Sequence, residues 1–136
     1  MNGIFYGVGL GPGDPDLITV KALKILKAAG KIFAPASKEG RSLAGEIINR
    51  HIPETAVEYL DFPMTTDKER LHKAWDEAVS RIGFCLNNQS VAFAALGDPL
   101  LYGSYLYLYR GIRERFPMIR VVTVPGIPGM CAAAAR

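Results

Sequence analysis

Apolar residues fall along this chain in short dense runs separated by longer amphipathic stretches. Residues 3–9 (GIFYGVG), 31–36 (KIFAPA), 56–61 (AVEYLD), 90–95 (SVAFAA) and 119–124 (IRVVTV) have the length and composition of strands. Pro35, which lacks an N–H, confines the end of the second run to a sheet edge or a strand terminus. Between the runs the period changes to that of helices. Thr19 is placed to cap a helix through Ala29, stopped by Gly30, with Val20, Leu23, Ile25 and Leu26 as core candidates. Residues 42–51 form a second helix, ended before Pro53. The longest helix starts from a cap at Thr66 or Asp67 and runs to about Asn87. Leu71, Trp75, Ala78, Val79, Ile82 and Leu86 recur along it at three and four spacing, which predicts Trp75 in the core and His72, one step off the stripe, in solvent. Residues 104–116 read as a further helix. Five strands alternating with helices imply βαβ crossovers. The expected fold is therefore α/β: a mainly parallel five-stranded sheet with helices on both faces.

Composition narrows the function classes. With 136 residues, 49% of them hydrophobic and 21% charged, the chain has room for one domain with a real core. The net charge of +3 comes from Lys and Arg spread from Lys21 to Arg136, so neither a nucleic-acid patch nor a nucleic-acid partner is expected. Cys85 and Cys131 have no second Cys or His at ligand spacing, which favours reduced thiols in a cytoplasmic protein over a disulfide scaffold or a metal site. Met1 leads straight into a strand and no apolar stretch approaches the ~18 residues of a span, so neither a signal peptide nor membrane insertion is expected. Residues 125–136 (PGIPGMCAAAAR) are a loop and the first turns of an Ala-rich helix without a C-cap Gly. This leads to the expectation that residues 1–136 are the N-terminal domain of a longer protein whose C-terminal domain is absent.

Three loops carry the candidate chemistry. Gly9-Leu10-Gly11-Pro12-Gly13, Leu96-Gly97-Asp98-Pro99 and Pro125-Gly126-Ile127-Pro128-Gly129 each follow a strand and precede a helix. In a parallel sheet all three emerge at the carboxyl edge, where open α/β sheets bind ligands. Gly97 lets a ligand approach the backbone, Asp98 offers a carboxylate, and Pro99 stiffens the turn. The same residues also serve as a plain strand-to-helix turn, and this loop alone does not choose between the two readings. A cleft walled by backbone suits a ligand with many donors and acceptors, such as a nucleoside with an amino-acid arm. The dinucleotide pattern G-x-G-x-x-G fails from Gly7, where Pro12 stands in the last position, and from Gly9, where Asp14 does. No Gly-Lys-Ser/Thr is present to complete a phosphate loop.

GVGLGPGDPDLIT, ALGDPLLYG and VPGIPGMCAAAAR, in this order and spacing, resemble the tetrapyrrole (corrin/porphyrin) methylase family. The resemblance covers essentially the whole chain and matches the family's N-terminal domain. Within the family, FPMTTDKERLHKAWDEAVSRI and GDPLLYGSYLYLYRGIRERFP are most similar to the branch that methylates precorrin-2 at C20 in cobalamin biosynthesis. The cobalt-containing substrate of the anaerobic route, cobalt-factor II, is not separated from precorrin-2 by these motifs. Branches that act in diphthamide synthesis or on ribosomal RNA fit less well. The resemblance implies a two-domain fold, S-adenosyl-L-methionine as methyl donor and a homodimer. It implies donor contacts at Pro12, Leu96, Gly97, Asp98, Leu101, Pro128 and Gly129, and puts Gly11, Gly13 and Tyr102 toward the macrocycle. Pro128 stands where the family often has Ser or Thr, so a side-chain hydrogen bond is lost there, and Gly103-Ser104 replaces an expected Ser-Thr pair. No acid–base pair is evident. Lys38 and Arg41 are candidate partners for the macrocycle's carboxylates, although surface charge is their ordinary role. A fragment that binds the donor without activity of its own is the remaining alternative.

Overall fold

The computed structural model describes residues 3–36, 42–101 and 103–135. Among these, five strands form one sheet: β1 (Ile4–Gly9), β2 (Lys31–Pro35), β3 (Val57–Leu60), β4 (Val91–Ala95) and β5 (Arg120–Val124). They alternate with α1 (Val20–Ala28), α2 (Leu43–His51), α3 (Lys68–Leu86), α4 (Tyr105–Arg115) and α5 (Gly129–Ala134). The expected α/β class holds, and every strand pair is parallel, in the order β3-β2-β4-β1-β5.

That order decides where the helices go. From β1 the chain steps outward to β2 and β3, then reverses, placing β4 between β2 and β1 and β5 beyond β1. Right-handed crossovers then require α1 and α2 on one face and α3 and α4 on the other. Two separate cores result. Phe5, Phe33, Val91, Phe93 and Ala95 pack with Ala78, Val79, Ile82 and Leu86 of α3 and Tyr105, Leu108 and Ile112 of α4. On the other face Val8, Leu10, Ile32, Ala34, Ala92 and Ala94 pack with Ala22 and Leu26 of α1 and Ala44, Ile47 and Ile48 of α2. Successive residues of β4 (VAFAA) point to opposite faces and both faces are covered, so all five are buried and none is polar.

Local chemistry sets the boundaries. Thr19 Oγ1 accepts from the Ala22 N–H, Ser42 Oγ from Gly45, and Asp67 Oδ1 from Glu69, each capping the helix that follows. The cap of α3 is thus Asp67 rather than Thr66. Pro35 ends β2, which is an internal strand; its ladder to β4 stops at Phe33↔Phe93, so no donor is needed from Pro35 on that side. Three core expectations need correction. Val20 is exposed because it opens α1, Leu23 is half-buried and outside the core, and Ala22, not expected there, joins the expected Leu26 in facing the sheet. Trp75 is half-buried between helices rather than in the core: its ring stacks on Tyr107 of α4 at 3.7 Å and 8°, with His72 edge-on at 5.5 Å. Among the described residues its Nε1 has no hydrogen-bond partner.

Tyr105 lies across the middle of the sheet. A Cβ at Gly7 would run into its ring, and its hydroxyl shares a 2.8 Å hydrogen bond with Thr123 of β5. Burial pushes the phenol's pKa up, against a smaller lowering by Thr123. The N-terminal end of α4 is thereby fixed over β1 and β5, behind the loop that leaves β4.

Candidate functional site

β1 and β4 are neighbours whose following helices pass to opposite faces of the sheet, and the crevice between their carboxyl ends is the place where an open α/β sheet has room for a ligand. β5 flanks β1 on its other side, so the three glycine-containing loops emerge from three adjacent strands.

Backbone hydrogen bonds tie the first two loops together. The Leu10 N–H donates to Ala95 O at 2.8 Å. Gly97 N–H donates to Gly11 O at 2.7 Å, and Gly11 N–H returns to Gly97 O at 3.3 Å, an antiparallel bridge appended to a parallel sheet. Gly11 and Gly97 both have positive φ, 84° and 66°, which explains glycine at these two positions. The third loop joins through a side chain: Asp98 Oδ2 accepts from the Gly126 N–H at 3.3 Å, while Oδ1 accepts from Leu100 N–H at 2.9 Å within its own loop. Backbone also meets backbone directly. A Cβ at Gly9 would lie 2.6 Å from both Gly126 N and Gly97 O, and one at Gly126 would fall on Gly97 O.

A concavity of about 340 Å³ lies between the loops. Pro12, Leu96, Gly97, Asp98, Leu101, Pro128 and Gly129 all line it, together with Met130, which sequence reasoning missed. Its signal was adjacency: the residue after Gly129 lies in the first turn of the helix that Gly129 opens and carries a long apolar side chain, 58% exposed. Leu96 and Leu101 are about equally open, at 39% and 41%, so the walls are backbone and the rim is apolar.

The residues expected toward the macrocycle are not gathered there. Gly11 is buried, with its N–H and C=O engaged by Gly97. Gly13 lines a separate 380 Å³ concavity with Pro15, Leu43, Ile47 and Arg50, where His51 Nε2 is 2.7 Å from Pro15 O. Tyr102, Lys38 and Arg41 lie outside the described residues. A third hollow, about 260 Å³, adjoins the first across the Leu96–Leu101 segment and is lined by Pro35, Phe93, Pro99 and Ser104. A wider concavity of about 790 Å³ is a shallow surface along α3, and no loop of the carboxyl edge contributes to it.

The site offers shape, backbone and apolar contact rather than acid–base chemistry. Asp98 is the ionisable residue lining the 340 Å³ concavity, and both of its oxygens already accept hydrogen bonds. Among the described residues no three His, Cys, Asp or Glu side chains gather as a metal site, and no helix is long and apolar enough to cross a membrane.

Comparison with known proteins gives this arrangement a lineage. The chain is 42% identical over 131 residues to a protein of Methanocaldococcus jannaschii named a probable cobalt-precorrin-2 C(20)-methyltransferase, covering 96% of this chain and 55% of the relative. It is 36% identical to the precorrin-2 C(20)-methyltransferase of Sinorhizobium sp, covering 94% of this chain and 55% of that one. The chain thus spans about half the length of these relatives. The fold matches the crystal structure of uroporphyrin-III C-methyl transferase from Thermus thermophilus complexed with S-adenyl homocysteine, with a TM-score of 0.70 and 24% identity over 97% of this chain and 48% of that one. The family model for tetrapyrrole (corrin/porphyrin) methylases matches residues 5–136, and the chain belongs to that family.

Proposed function

We propose that this chain provides the donor-binding half of an S-adenosyl-L-methionine-dependent methyltransferase acting at C20 of precorrin-2 or of its cobalt-containing counterpart, cobalt-factor II, in cobalamin biosynthesis. The observation that carries the reading is the single concavity shared by Pro12, the Leu96–Leu101 segment and Pro128–Gly129 at the strand-order reversal. The names of the relatives support the substrate.

The residues present fit such a donor. A Cβ at Gly97 would project to 3.6 Å from Pro128 Cα, into the gap between the second and third loops, so glycine keeps that gap open. Apart from its own chain neighbours and helix backbone, no described atom lies within 4 Å of where a Cβ at Gly129 would stand, so this backbone is accessible from the cleft. When bound, the donor supplies an electrophilic methyl carbon on a sulfonium. Leu96, Leu101 and Met130 exclude water around it, which favours collapse of the positive charge. The loops' main work is positioning, since an in-line displacement requires the reacting atoms close together and aligned. No general acid or base is assigned. Lys38 and Arg41 remain the proposed partners of the macrocycle's carboxylates, and Gly13 and Tyr102 remain proposed on the macrocycle side, whereas the burial of Gly11 and its bonds to Gly97 favour a structural role for that residue. A homodimer is part of this proposal and rests on the family resemblance, and a cytoplasmic location rests on the free cysteines Cys85 and Cys131.

The relatives are nearly twice as long, and the rim of Leu96, Leu101 and Met130 is open, so the reading places the cleft's second wall in a further domain. Titration calorimetry with S-adenosylhomocysteine tests this on the present chain and on a chain extended to the relatives' length. Binding by the extended chain at least about tenfold tighter, a difference of about 1.4 kcal/mol, is expected. Equal, tight binding by the short chain would contradict the split site. Mass-spectrometric turnover of metal-free and cobalt-containing macrocycles by the extended chain then decides the substrate.

A further inference from the structure

We infer that Tyr105 is a positioning residue: its phenol, seated over Gly7 and bonded to Thr123, fixes the far end of the segment that walls the donor concavity. This deepens the proposed function, and only its ligand arm depends on that reading.

One row of the sheet explains the seat. Gly7 of β1 pairs with Phe93 of β4 on one side and with Thr123 of β5 on the other. Gly7 has no side chain, and a Cβ there would run into the Tyr105 ring, so the phenol takes that place in the row. Its ring centroid is 6.4 Å from that of Phe93, and its hydroxyl shares a 2.8 Å hydrogen bond with Thr123 Oγ1. One side chain thus reaches across the three strands whose loops form the cleft. Strand residues alternate between faces, so the next row on this face holds Gly9 and Ala95, where the loops begin.

The segment that leaves β4 after Ala95 returns to the sheet at Tyr105. Its near end is tied to the first loop, since Leu10 N–H donates to Ala95 O at 2.8 Å. Its far end lacks the usual fastening. The side chains of Thr19, Ser42 and Asp67 cap α1, α2 and α3, whereas among the described residues Ser104 gives α4 no side-chain cap. The 260 Å³ hollow between Phe93, Ala95, Leu101 and Ser104 leaves that side of the segment unfilled. Tyr105, fully buried as the first residue of α4, therefore holds this end. Apolar packing is non-directional and would let the ring slide along the row, whereas the hydroxyl bond gives it a stop of fixed length and direction. A shift of the ring carries Ser104 with it, and through it the Leu101 end of the donor wall.

The ligand-free test uses Tyr105→Phe, which keeps the ring and removes the bond, with hydrogen exchange followed by NMR. The Tyr107 and Leu108 amides, which donate to Ser104 O, should exchange about three- to tenfold faster, the range of one hydrogen bond. The Leu10 amide at the other end should keep its wild-type rate. Equal acceleration of all three marks a general loss of stability and overturns the inference, as does no change at Tyr107 and Leu108. Should Y105F fail to fold, Thr123→Val removes the same bond from β5 and must give the same split.

The ligand arm measures S-adenosylhomocysteine affinity by calorimetry on the chain extended to the relatives' length. Y105F and T123V should each weaken binding about three- to tenfold, and the double variant no further than either alone. Thr123→Ser, which keeps a hydroxyl, should restore wild-type affinity. Wild-type affinity in both Y105F and T123V, whatever their stability, leaves the bond a purely structural one and overturns the positioning role. If the extended wild-type chain does not bind S-adenosylhomocysteine while Tyr107 and Leu108 still respond to Y105F, the donor reading fails and the tether of the segment stands.

Discussion

At the β4–β1–β5 side of the sheet, the loops beyond the ladder are joined largely by backbone; at the β3–β2 side, charged side chains reinforce the ladder of the outer strand. The first region has the reciprocal Gly11–Gly97 bonds, the Leu10–Ala95 bond and the Gly9–Gly97–Gly126 contacts, with Asp98 as the side chain that ties the loops at its carboxyl edge. In the second, Glu58 of β3 accepts from Arg81 Nε and Nη2 of α3 at 2.8 Å each, and Lys31 Nζ of β2 is 3.2 Å from its carboxylate. The two kinds of tie differ in what disturbs them. Backbone contacts between glycines are indifferent to moderate pH and salt and intolerant of a single added carbon. Side-chain ion pairs tolerate substitution and respond to both pH and salt. The cleft is built in the first manner, where a few tenths of an ångström matter.

Substituting Gly126 by Ala should have the largest effect. Its methyl would fall on the Gly97 carbonyl, and the displacement has to be taken up by backbone on both sides. A loss of about 2–3 kcal/mol in urea unfolding is expected, near the upper range for overpacking. A loss below 1 kcal/mol would show that the glycine contact is not tight, and the contrast between the two regions would fail. Gly97→Ala should cost less, about 1–2 kcal/mol, because the added carbon has room but the positive φ of 66° is strained for any L side chain. Asn, which tolerates that conformation better, should recover part of the loss, and no recovery would point to crowding rather than to strain.

The smallest effect belongs to the charged region. Hydrogen bonds from Arg81, followed by the contributions of Lys31, outweigh partial burial and hold the Glu58 carboxyl at about 2, below its ordinary 4.5. A carboxylate whose pKa is depressed on folding contributes stability that is complete above the unfolded value. That contribution fades as pH falls from about 4.5 through about 2. Because the group is near the surface, the contribution should not exceed about 1 kcal/mol at neutral pH. Glu58→Gln should remove it and flatten the stability profile between those two pH values, with the difference from wild type shrinking in high salt. A mutant profile parallel to that of wild type across the window would show that Glu58 is not the titrating group.

What the sequence disclosed follows from the same distinction. Strands and caps are local properties. The apolar run of β4 and the capping Thr19, Ser42 and Asp67 could be read within a few residues of themselves, apart from the choice between Thr66 and Asp67. The loops were visible because glycine and proline punctuate the chain wherever backbone must turn sharply or approach closely. Seven residues on three loops were expected near the donor, and the fold brings all seven to one concavity. The order of strands was not visible, since parallel pairing leaves no mark on either partner. Nor was the bond from Gly126 to Asp98, which depends on β5 lying beside β1 rather than beside β4. Val20 misled because its apolar side chain opens the helix at the rim, where the face toward the sheet has not yet begun. Trp75 fits the helical stripe, but the stripe widens where α3 meets α4, and a large ring there finds Tyr107 instead of the sheet.

The central place of β1 has a consequence for how the chain acquires its shape. β1 is the first strand made, yet its partners are the fourth and fifth: Phe5 pairs with Val91, and Ile4 with Arg120. β2 and β3 are separated by a single helix and can associate early, but β1 has no neighbour until residues from the second half of the chain are synthesised. Such distant pairings carry a large loop-closure cost and slow the search for the native topology. An apolar strand must therefore wait unpaired on the ribosome or in refolding, exposed to association with other chains. The cleft, which needs β4, β1 and β5 side by side, is among the last features to acquire its form, so a defect in late assembly would leave a partly ordered chain with an intact β2–β3 unit and no place for a ligand.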